Sequence, residues 1–263
     1  MPHGLRHMGI RLVVNYLKRY RGYSHLPCSG SWILATLGYP ALRQSRLSEV
    51  PTYHEGLSFL DYGSGSGNDV ALARFLGLDA EGIEIDREAA ETGRMAGLAI
   101  TQGSLDVLEQ KSERYDYVMS SHCVEHVVDA HRLFRAFRQA LKPNGTLVIE
   151  VPNAMSAASL HFREYYYYLG MPVHVHGFTP LSIRILAEHA GLRVRSMHTY
   201  NRRSTQIKGA CMKWKSNGST LMENHRRCSP IDTMVGIALV MPVYFRSLWT
   251  ERGDNLVTSF SRC

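Results

Sequence analysis

The chain has few cysteines, and they lack any paired arrangement. A secreted disulfide framework or a zinc ribbon needs cysteines in pairs at short spacing. Here the count is odd and no Cys-x-x-Cys occurs, so we expect reduced thiols and a cytoplasmic protein. The five cysteines are Cys28, Cys123, Cys211, Cys228 and Cys263.

A long hydrophobic run is absent as well. The longest apolar stretch, residues 234–245, is a dozen residues and contains Pro242, which makes it shorter than a transmembrane helix. The apolar residues 10–14 are interrupted by Arg11, so we expect no signal peptide. Internal repeats are missing too. The sequence therefore gives no sign of a membrane-spanning or repeat architecture.

Acidic residues are scarce in both flanks. Residues 1–56 hold 7 Lys and Arg against 2 Asp and Glu, and residues 154–263 hold 14 against 6. The middle, residues 57–153, holds 9 against 15, so it is acidic, and the excess positive charge behind the chain's formal net charge of +7 lies in the flanks. Such flanks favour contact with a phosphorylated substrate, a membrane surface or nucleic acid. A solvated basic face explains them equally well.

The remaining composition is that of an ordinary globular chain. Its 263 residues, 44% hydrophobic and 20% charged, suffice for one sizeable α/β core with extensions. From residue 57 onward, strand and helix patterns alternate, which predicts a mostly parallel sheet with right-handed crossovers. The predicted strands are 57–62, 81–85, 98–102, 115–120, 145–151, 192–199 and 255–260, and the predicted helices are 68–77, 87–96, 130–142, 180–190 and 232–249.

Two extensions lie outside this alternation. Residues 8–21 have the pattern of a basic amphipathic helix and residues 32–37 that of a second helix. We predict that residues 1–56 form a helical cap over the ligand mouth, with an ordinary packing extension as the alternative. The polar, basic residues 201–230 predict a long loop. Within a domain spanning 57–263, this loop and the following helix would form an insertion (201–250) before the last strand.

A glycine-rich turn follows the first predicted strand. Gly63, Gly65 and Gly67 stand between an apolar strand and a helical pattern, an arrangement that brings backbone N–H groups to a nucleotide-like ligand. Glu84 lies 17 positions after Gly67, close to the spacing of a ribose-binding acid. The dinucleotide pattern G-x-G-x-x-G is not met, because position 68 is Asn68 and no glycine follows it directly.

Five motifs follow one another along the chain: LDYGSGSG (60–67), GIEID (82–86), GSLDVL (103–108), YDYVMSSHCVEHV (115–127) and LKPNGTL (141–147). In this order they resemble the motifs of the class I S-adenosylmethionine (SAM) methyltransferases. The resemblance covers about residues 57–200 and is closest to the small-molecule branch that contains ubiquinone-type and sugar-modifying enzymes. It implies a Rossmann-like, mostly parallel seven-stranded sheet with helices on both faces, SAM as methyl donor and S-adenosylhomocysteine as product.

The resemblance also assigns a donor site. The glycine turn and Asp61 would face the methionine part of SAM, Glu84 would bind both ribose hydroxyls, and Ile85 would flank the adenine. Family members commonly carry an acid where this chain has Ser104, so Asp106 or main-chain groups would take over recognition of the adenine amino group. The implied set is Asp61, Gly63, Ser64, Gly65, Gly67, Asn68, Glu84, Ile85, Ser104, Leu105, Asp106, Ser120, Ser121 and His122.

Three histidines are candidates for catalysis. A hydroxyl acceptor benefits from a general base, and an imidazole titrates in the right range. His122 comes first, since the resemblance puts it beside the sulfonium, and His176 and His126 follow. His176 belongs to a segment that borders the acceptor pocket in similar enzymes. The tyrosine run 165–168 suits a pocket wall, although we favour an ordinary mixture of core and surface positions.

Two histidine patterns raise a metal alternative. His122-x-x-Glu125-His126 fits the H-x-x-E-H zinc pattern, but it follows a predicted strand directly instead of lying within a long helix. His174 and His176 would share one face of a strand, with no evident third ligand. We therefore predict no metal.

These observations favour a SAM-dependent methyltransferase with a small-molecule acceptor. We expect in-line transfer to a hydroxyl of a sugar or glycan precursor, or of another metabolite. No Asp/Asn-Pro-Pro-Tyr follows the fourth strand, so nucleic acid is not the expected acceptor. An RNA-directed methyltransferase or RNA-binding protein that uses the basic flanks and an NAD-dependent oxidoreductase are the alternatives. Peripheral membrane contact through residues 8–21 and 233–249 is compatible with methyl transfer. The sequence sets no oligomeric state.

Overall fold

The strands form one sheet. The computed structural model describes residues 14–26, 36, 49, 51–166, 168, 170, 172–216, 230–250 and 252–263. Its strands are β1 (Ser58–Tyr62), β2 (Asp79–Glu84), β3 (Ile100–Gln102), β4 (Tyr115–Ser121), β5 (Leu141–Pro152), β6 (Leu192–Tyr200) and β7 (Asn255–Arg262). They lie in the order β3-β2-β1-β4-β5-β7-β6. Strands β1 to β5 pair in parallel, and β7 lies antiparallel between β5 and β6. The predicted mostly parallel seven-stranded sheet is confirmed.

Helices connect these strands, and several begin with a side-chain cap. They are α1 (14–20), α2 (Asn68–Phe75), α3 (Arg87–Met95), α4 (Leu105–Glu109), α5 (Ala130–Ala140), α6 (Ala157–Phe162), α7 (Pro180–His189), α8 (Arg203–Ser216) and α9 (Pro230–Thr250). Asp86 and Asp129 each accept a hydrogen bond from the third backbone N–H of α3 and α5, which satisfies a donor that the helix leaves open. Thr179 forms a capping box at the start of α7. Among the helices described, none is long and apolar enough to span a membrane.

Both faces of the central strands are buried. Successive residues of a strand point to opposite faces, and here each face belongs to a different hydrophobic cluster. Leu60 and Leu147 lie in one cluster with Phe137 of α5, and Phe59 and Val148 lie in the other with residues of α2. A parallel sheet covered on both sides needs strands that are apolar throughout, which explains the continuous apolar runs in the sequence.

The N-terminal segment packs on the α2 side of the sheet. Leu17, Tyr23 and Leu26 are buried in the cluster that contains α2 residues. The ring of His25 hydrogen-bonds to the carbonyl of Leu76 at 3.0 Å. This segment therefore stabilises the flank of the sheet.

Only part of the predicted cap lies within the described chain. The helix expected at 8–21 is present at 14–20, while residues 1–13 are outside the described ranges. The second predicted helix, 32–37, is outside them too, apart from Thr36. A cap over the ligand mouth stays a prediction.

Several segments differ from the sequence prediction. Helices α4 and α6 have no counterpart among the predicted helices, and two further differences have a clear physical cause. Strand β5 begins at Leu141 instead of 145, because Leu141 already pairs with Tyr115 before the register shifts; helix α5 therefore ends at Ala140 instead of 142. The predicted loop is also wrong in part, because its residues 203–216 form helix α8. Ala210 is buried in a cluster with α6 and α9, so packing by a few small side chains outweighs the polar composition.

The order of the strands shows where a ligand belongs. From β1 the chain moves outward through β2 and β3, then returns to place β4 on the opposite side of β1. In open α/β sheets, ligands bind outside the carboxyl ends of the strands at such a reversal. The residues that follow β1, β2, β3 and β4 are therefore brought to one edge.

Candidate active site

The glycine turn leads from β1 into α2, whose first residue is Asn68. Gly63, Gly65 and Gly67 have φ of 80°, 53° and 87°, left-handed angles that glycine adopts without steric cost. A Cβ on Gly63 would lie 2.5 Å from Sγ of Cys123, and one on Gly67 would also collide with buried side chains. A Cβ on Gly65 would meet nothing within 4 Å. Gly65 therefore borders open space, whereas packing requires the other two glycines.

Glu84 lies directly beside this open space. Its carboxylate, 8% exposed at the end of β2, accepts the N–H of Gly65 at 2.6 Å and the N–H of Asp86 at 2.8 Å. The next residue, Ile85, is 72% exposed, as expected of a side chain that would flank an adenine ring. The carboxylate of Glu84 and the apolar side chain of Ile85 are thus neighbours at the end of β2.

Two polar residues of the turn are buried. Asp61 is 2% exposed and Ser64 is 8% exposed. The hydroxyl of Ser64 has no hydrogen-bond partner, which is costly for a buried polar group unless a ligand satisfies it. The open space at Gly65, this hydroxyl and the Glu84 carboxylate fit a ligand with a polar amino-acid end and a ribose, as SAM has.

The residues after β3 complete this side of the site. The N–H of Gly103 donates to the carbonyl of Glu84 at 2.9 Å, so the following residues lie next to the end of β2. The hydroxyl of Ser104 donates to Asp106 at 2.8 Å, and this bond holds the pKa of the exposed Asp106 carboxyl below its usual value. Leu105 begins α4. The fold therefore brings the residues predicted for adenine beside those predicted for ribose.

The end of β4 supplies the next group of polar side chains. Ser120 is fully buried and donates to the carbonyl of Tyr62 at 3.0 Å, while Ser121 donates to Glu150 at 3.0 Å. His122 follows with φ of 52°, a left-handed angle that is uncommon outside glycine. Backbone strain of this kind concentrates at functional sites.

The imidazole of His122 lies between two buried carboxylates. Its Nδ1 is 3.5 Å from Oε1 of Glu125, too long for a hydrogen bond, and its Nε2 is 3.2 Å from Oε1 of Glu150. Burial lowers the pKa of His122, but the two carboxylates outweigh it and raise the pKa to about 9. At neutral pH the ring is therefore an imidazolium.

Polar groups from distant parts of the chain surround Nε2 of His122. The Tyr168 hydroxyl lies 3.2 Å away and Nη1 of Arg202 lies 3.4 Å away. The Arg202 guanidinium stands over the Tyr168 ring, 5.7 Å from its centre. Tyr168 also donates to Asn255, whose amide donates to Glu150 at 2.5 Å. Tyr200 joins them, since its hydroxyl donates to Glu150 and accepts from Asn255. These residues form one connected network, which we call the His122 cluster: His122, Glu150, Tyr168, Tyr200, Arg202 and Asn255.

A neighbouring buried acid anchors the cluster. Asp254 accepts the Tyr166 hydroxyl at 2.6 Å and the backbone N–H of Arg202 at 2.7 Å. Burial raises the pKa of Asp254 to about 6, although these hydrogen bonds oppose the rise. Asp254 therefore holds the main chain of Arg202 in place.

Sequence reasoning missed most of the His122 cluster. Glu150, Arg202 and Asn255 stand at the ends of different strands or just beyond them, and no local pattern connects them. The tyrosine run was the one sequence signal: Tyr166 is buried and Tyr168 belongs to the cluster.

The other two predicted catalytic histidines have different partners. Nε2 of His176 lies 2.9 Å from the carbonyl of Val127, and Nδ1 of His126 lies 3.2 Å from the carbonyl of Val173. A carbonyl only accepts, so each of these nitrogens carries the proton. The ring of His122 thus lies against carboxylates, whereas the hydrogen bonds described for His126 and His176 go to main-chain carbonyls.

Within the part of the chain that the structure describes, one group of side chains could hold a metal ion. The ligand atoms of Glu125, His126 and His174 lie within 4.8 Å of one another. The zinc-protease geometry needs its histidines on a long helix, whereas Val124–His126 is a single 3-10 turn. The absence of a metal stays a prediction.

The reversal of strand order beside β1, the glycine turn with open space and the acid at the end of β2 define the class of protein as a class I SAM-dependent methyltransferase. Residues 38–197 match the family model described as a methyltransferase domain. This is more than half of the chain, so the chain belongs to that family. SAM is the cofactor of the class.

Curated relatives agree with this assignment. A ubiquinone biosynthesis O-methyltransferase of Cereibacter sphaeroides is 32% identical over 136 residues, covering 48% of this chain and 53% of that protein. The mitochondrial ubiquinone biosynthesis O-methyltransferase of Homo sapiens is 28% identical over 132 residues, covering 44% and 36%. The chain thus matches about half or less of the length of these relatives.

Solved structures share the fold. A chain from the complex between the Haloferax volcanii Trm112 methyltransferase activator and a methyltransferase superposes with a TM-score of 0.57 at 19% identity. The superposition covers 82% of this chain and 86% of that one. At this identity the likeness concerns the fold alone.

Proposed function

We propose that the protein transfers the methyl group of SAM to a hydroxyl of a small molecule by in-line displacement. SAM supplies a methyl group activated on a sulfonium, so the chain mainly provides proximity and alignment. One observation carries the proposal: Gly63 of the donor turn packs against Cys123, the residue that follows His122. The donor turn and the His122 cluster are therefore neighbours.

A hydroxyl acceptor must lose its proton, and His122 is the proposed base. The two carboxylates beside its ring stabilise the imidazolium that forms when it takes the proton. With a pKa of about 9, the neutral, proton-accepting form grows as the pH rises. His126 and His176 stay secondary candidates. Methyl transfer should therefore accelerate with pH up to about this value.

A sugar or glycan precursor, or another hydroxyl-bearing metabolite, is the proposed acceptor. The ubiquinone O-methyltransferases to which the chain is similar support an oxygen acceptor. Tyr168, Arg202 and Asn255 offer ring faces and hydrogen-bonding groups, which suit hydroxyl-rich or aromatic rings. The thiols of Cys123 and Cys263 form no disulfide, which supports a reducing compartment such as the cytoplasm. We also propose peripheral contact with a membrane.

Acceptor-dependent formation of S-adenosylhomocysteine tests the proposal. The purified chain would be incubated with methyl-labelled SAM and panels of sugars, glycan precursors, phenols and amines. Labelled methyl ether from a hydroxyl acceptor is the expected result. Labelled amine alone would overturn the oxygen assignment, and failure to bind S-adenosylhomocysteine would overturn methyl transfer itself. RNA binding that falls steeply with salt would favour the RNA alternative.

A further inference from the structure

Helix α9 exposes apolar side chains on the side opposite to its buried residues. Val240 and Val243 are buried in a cluster with residues of α6 and α8. The exposed positions recur every three or four residues, so they line the opposite side of the helix. We call them the outer face of α9: Met234 (71% exposed), Ile237 (46%), Met241 (45%) and Phe245 (52%).

A cavity with cationic walls lies at the edge of this helix. It encloses about 410 Å3 between α6 and α9. Leu160 and Val243 contribute apolar walls, while Arg246, Arg252 and His161 contribute polar ones. Among the lining residues that the structure describes, none carries a carboxylate. Such a cavity suits a negatively charged group that is attached to an apolar chain.

Positive charges are concentrated around this cavity. Lys213 of α8 donates to the carbonyl of His161 at 3.1 Å, so its ammonium also lies beside the cavity. Burial lowers the pKa of His161, and the charges of Lys213 and Arg246 lower it further. An anion bound there would reduce the repulsion among these cations.

We propose that the outer face of α9 and the cationic cavity beside it bind an anionic phospholipid membrane. The phosphate of a lipid would enter the cavity, and the outer face would lie in the boundary of the acyl chains. Apolar side chains flanked by cations are the pattern of helices that lie in a membrane interface. This proposal rests on the membrane contact of the proposed function, to which it assigns a surface and a lipid class.

Charge and location favour a membrane over a second copy of the chain. A two-fold dimer would bring the same patch of both copies together, so the cations around the two cavities would repel each other. The location also suits a lipid-linked acceptor. Tyr166 is buried in the cluster that contains Val240 and Val243, and Tyr168 packs against it. The lipid surface is therefore one helix layer from the His122 cluster.

Co-sedimentation of the full chain with lipid vesicles tests the proposal. We expect binding to vesicles of phosphatidylcholine mixed with phosphatidylglycerol, and much weaker binding to phosphatidylcholine alone. Arg246→Gln with Arg252→Gln should lower partitioning about 25-fold, at about fivefold for each charge near the surface. Met241→Asn with Phe245→Asn should lower it about tenfold or more.

Matched controls separate this surface from general charge or hydrophobicity. Arg135→Gln with Arg184→Gln removes two exposed cations from α5 and α7, and Leu181→Asn removes an exposed apolar side chain from α7. These variants should bind vesicles as the unmodified chain does. Arg246→Lys with Arg252→Lys keeps the charge and should retain binding, which would show that a loss in the glutamine variant reflects charge.

Each other outcome overturns the proposal. Unchanged vesicle binding by both the Arg246→Gln, Arg252→Gln variant and the Met241→Asn, Phe245→Asn variant would place membrane contact elsewhere on the chain. A dimer that dissociates in the outer-face variant, or capture of a protein partner without vesicle binding, would make this face a protein interface. Thermal stabilisation by inorganic phosphate without vesicle binding would make the cavity a site for free phosphate. S-adenosylhomocysteine affinity, measured on the same samples, reports separately on the proposed methyl transfer.

Discussion

The donor half and the acceptor half of the candidate site are built in different ways. The donor half comes from three consecutive βα turns, between Asp61 and Asp106, and Glu84 is held there by backbone N–H groups. The acceptor half joins side chains from four strands and from the segment around Tyr168. Main-chain recognition depends on local conformation, whereas the side-chain network depends on how distant segments pack. This difference explains why the donor can be read from the sequence more easily than the acceptor.

The two halves also differ in what holds them. Around the donor turn, glycines let the main chain lie close to neighbouring side chains. Steric fit therefore decides which substitutions are tolerated there. Around His122, two buried carboxylates and an imidazolium compensate one another. Removing one member of such a group leaves buried charge uncompensated. Substitutions in the donor half should therefore be harmful through steric clashes, and substitutions around His122 through uncompensated buried charge.

Removal of the His122 imidazole should have the largest effect on catalysis. Asparagine tolerates left-handed backbone angles, so His122→Asn removes the base without adding strain. We expect kcat of methyl transfer to fall about a hundredfold or more, while the affinity for S-adenosylhomocysteine is nearly unchanged. His176→Asn is the control, with a much smaller expected loss of kcat. Normal turnover by His122→Asn would rule out the general base.

The donor turn should respond to a methyl group according to position. Gly63→Ala would put Cβ 2.5 Å from Sγ of Cys123, and we expect about 3 kcal/mol of destabilisation from the clash and the left-handed angle. Gly65→Ala has room and should cost only about 1–2 kcal/mol, yet it should weaken S-adenosylhomocysteine binding. Urea unfolding and calorimetric titration measure the two effects. Equal destabilisation would show that Gly65 is also a packing residue.

The stability of the protein should depend on pH through His122. The pKa of this residue is raised from 6.5 to about 9, so its ion pairs stabilise the fold fully below pH 6.5 and lose their effect as the pH rises through 9. Because the side chain is 27% exposed, we expect a loss of about 2 kcal/mol. Urea unfolding across this window measures it.

Two variants sharpen this pH dependence. His122→Asn should remove the His122 contribution to it. Glu150→Gln should move the loss to lower pH, because one of the two carboxylates that raise the pKa becomes neutral. If all three chains lose stability equally, another group is responsible.

The smallest predicted effect concerns Glu84, the acid expected to bind the ribose. Glu84→Ala should weaken S-adenosylhomocysteine binding about tenfold or more, since a carboxylate that accepts two hydroxyl hydrogen bonds contributes at least about 1.4 kcal/mol. Calorimetric titration measures the affinity. Glu81→Ala removes a carboxylate from the same strand, where its partners are Arg114 and Tyr115, and should leave the affinity unchanged. Unchanged affinity in Glu84→Ala would count strongly against the donor assignment.

Local patterns predicted much of the fold. Alternating apolar strands and capped helices gave every strand of the sheet, usually to within a few residues at either end. Two of the errors arose where long-range contacts decide the local structure. Leu141 joins β5 because Tyr115 is its partner, and residues 203–216 become helical because Ala210 packs into a distant cluster. Neither partner can be inferred from neighbouring residues.

The sequence by itself determined the sheet, the glycine turn and the family, because these depend on short motifs whose residues act through the local main chain. Only the tertiary structure decided that His122 lies between Glu125 and Glu150, and that Tyr168, Arg202 and Asn255 gather around it. The physical reason is that burial and proximity set a pKa and a hydrogen-bond network. Both arise only when segments more than a hundred residues apart, such as His122 and Asn255, pack together.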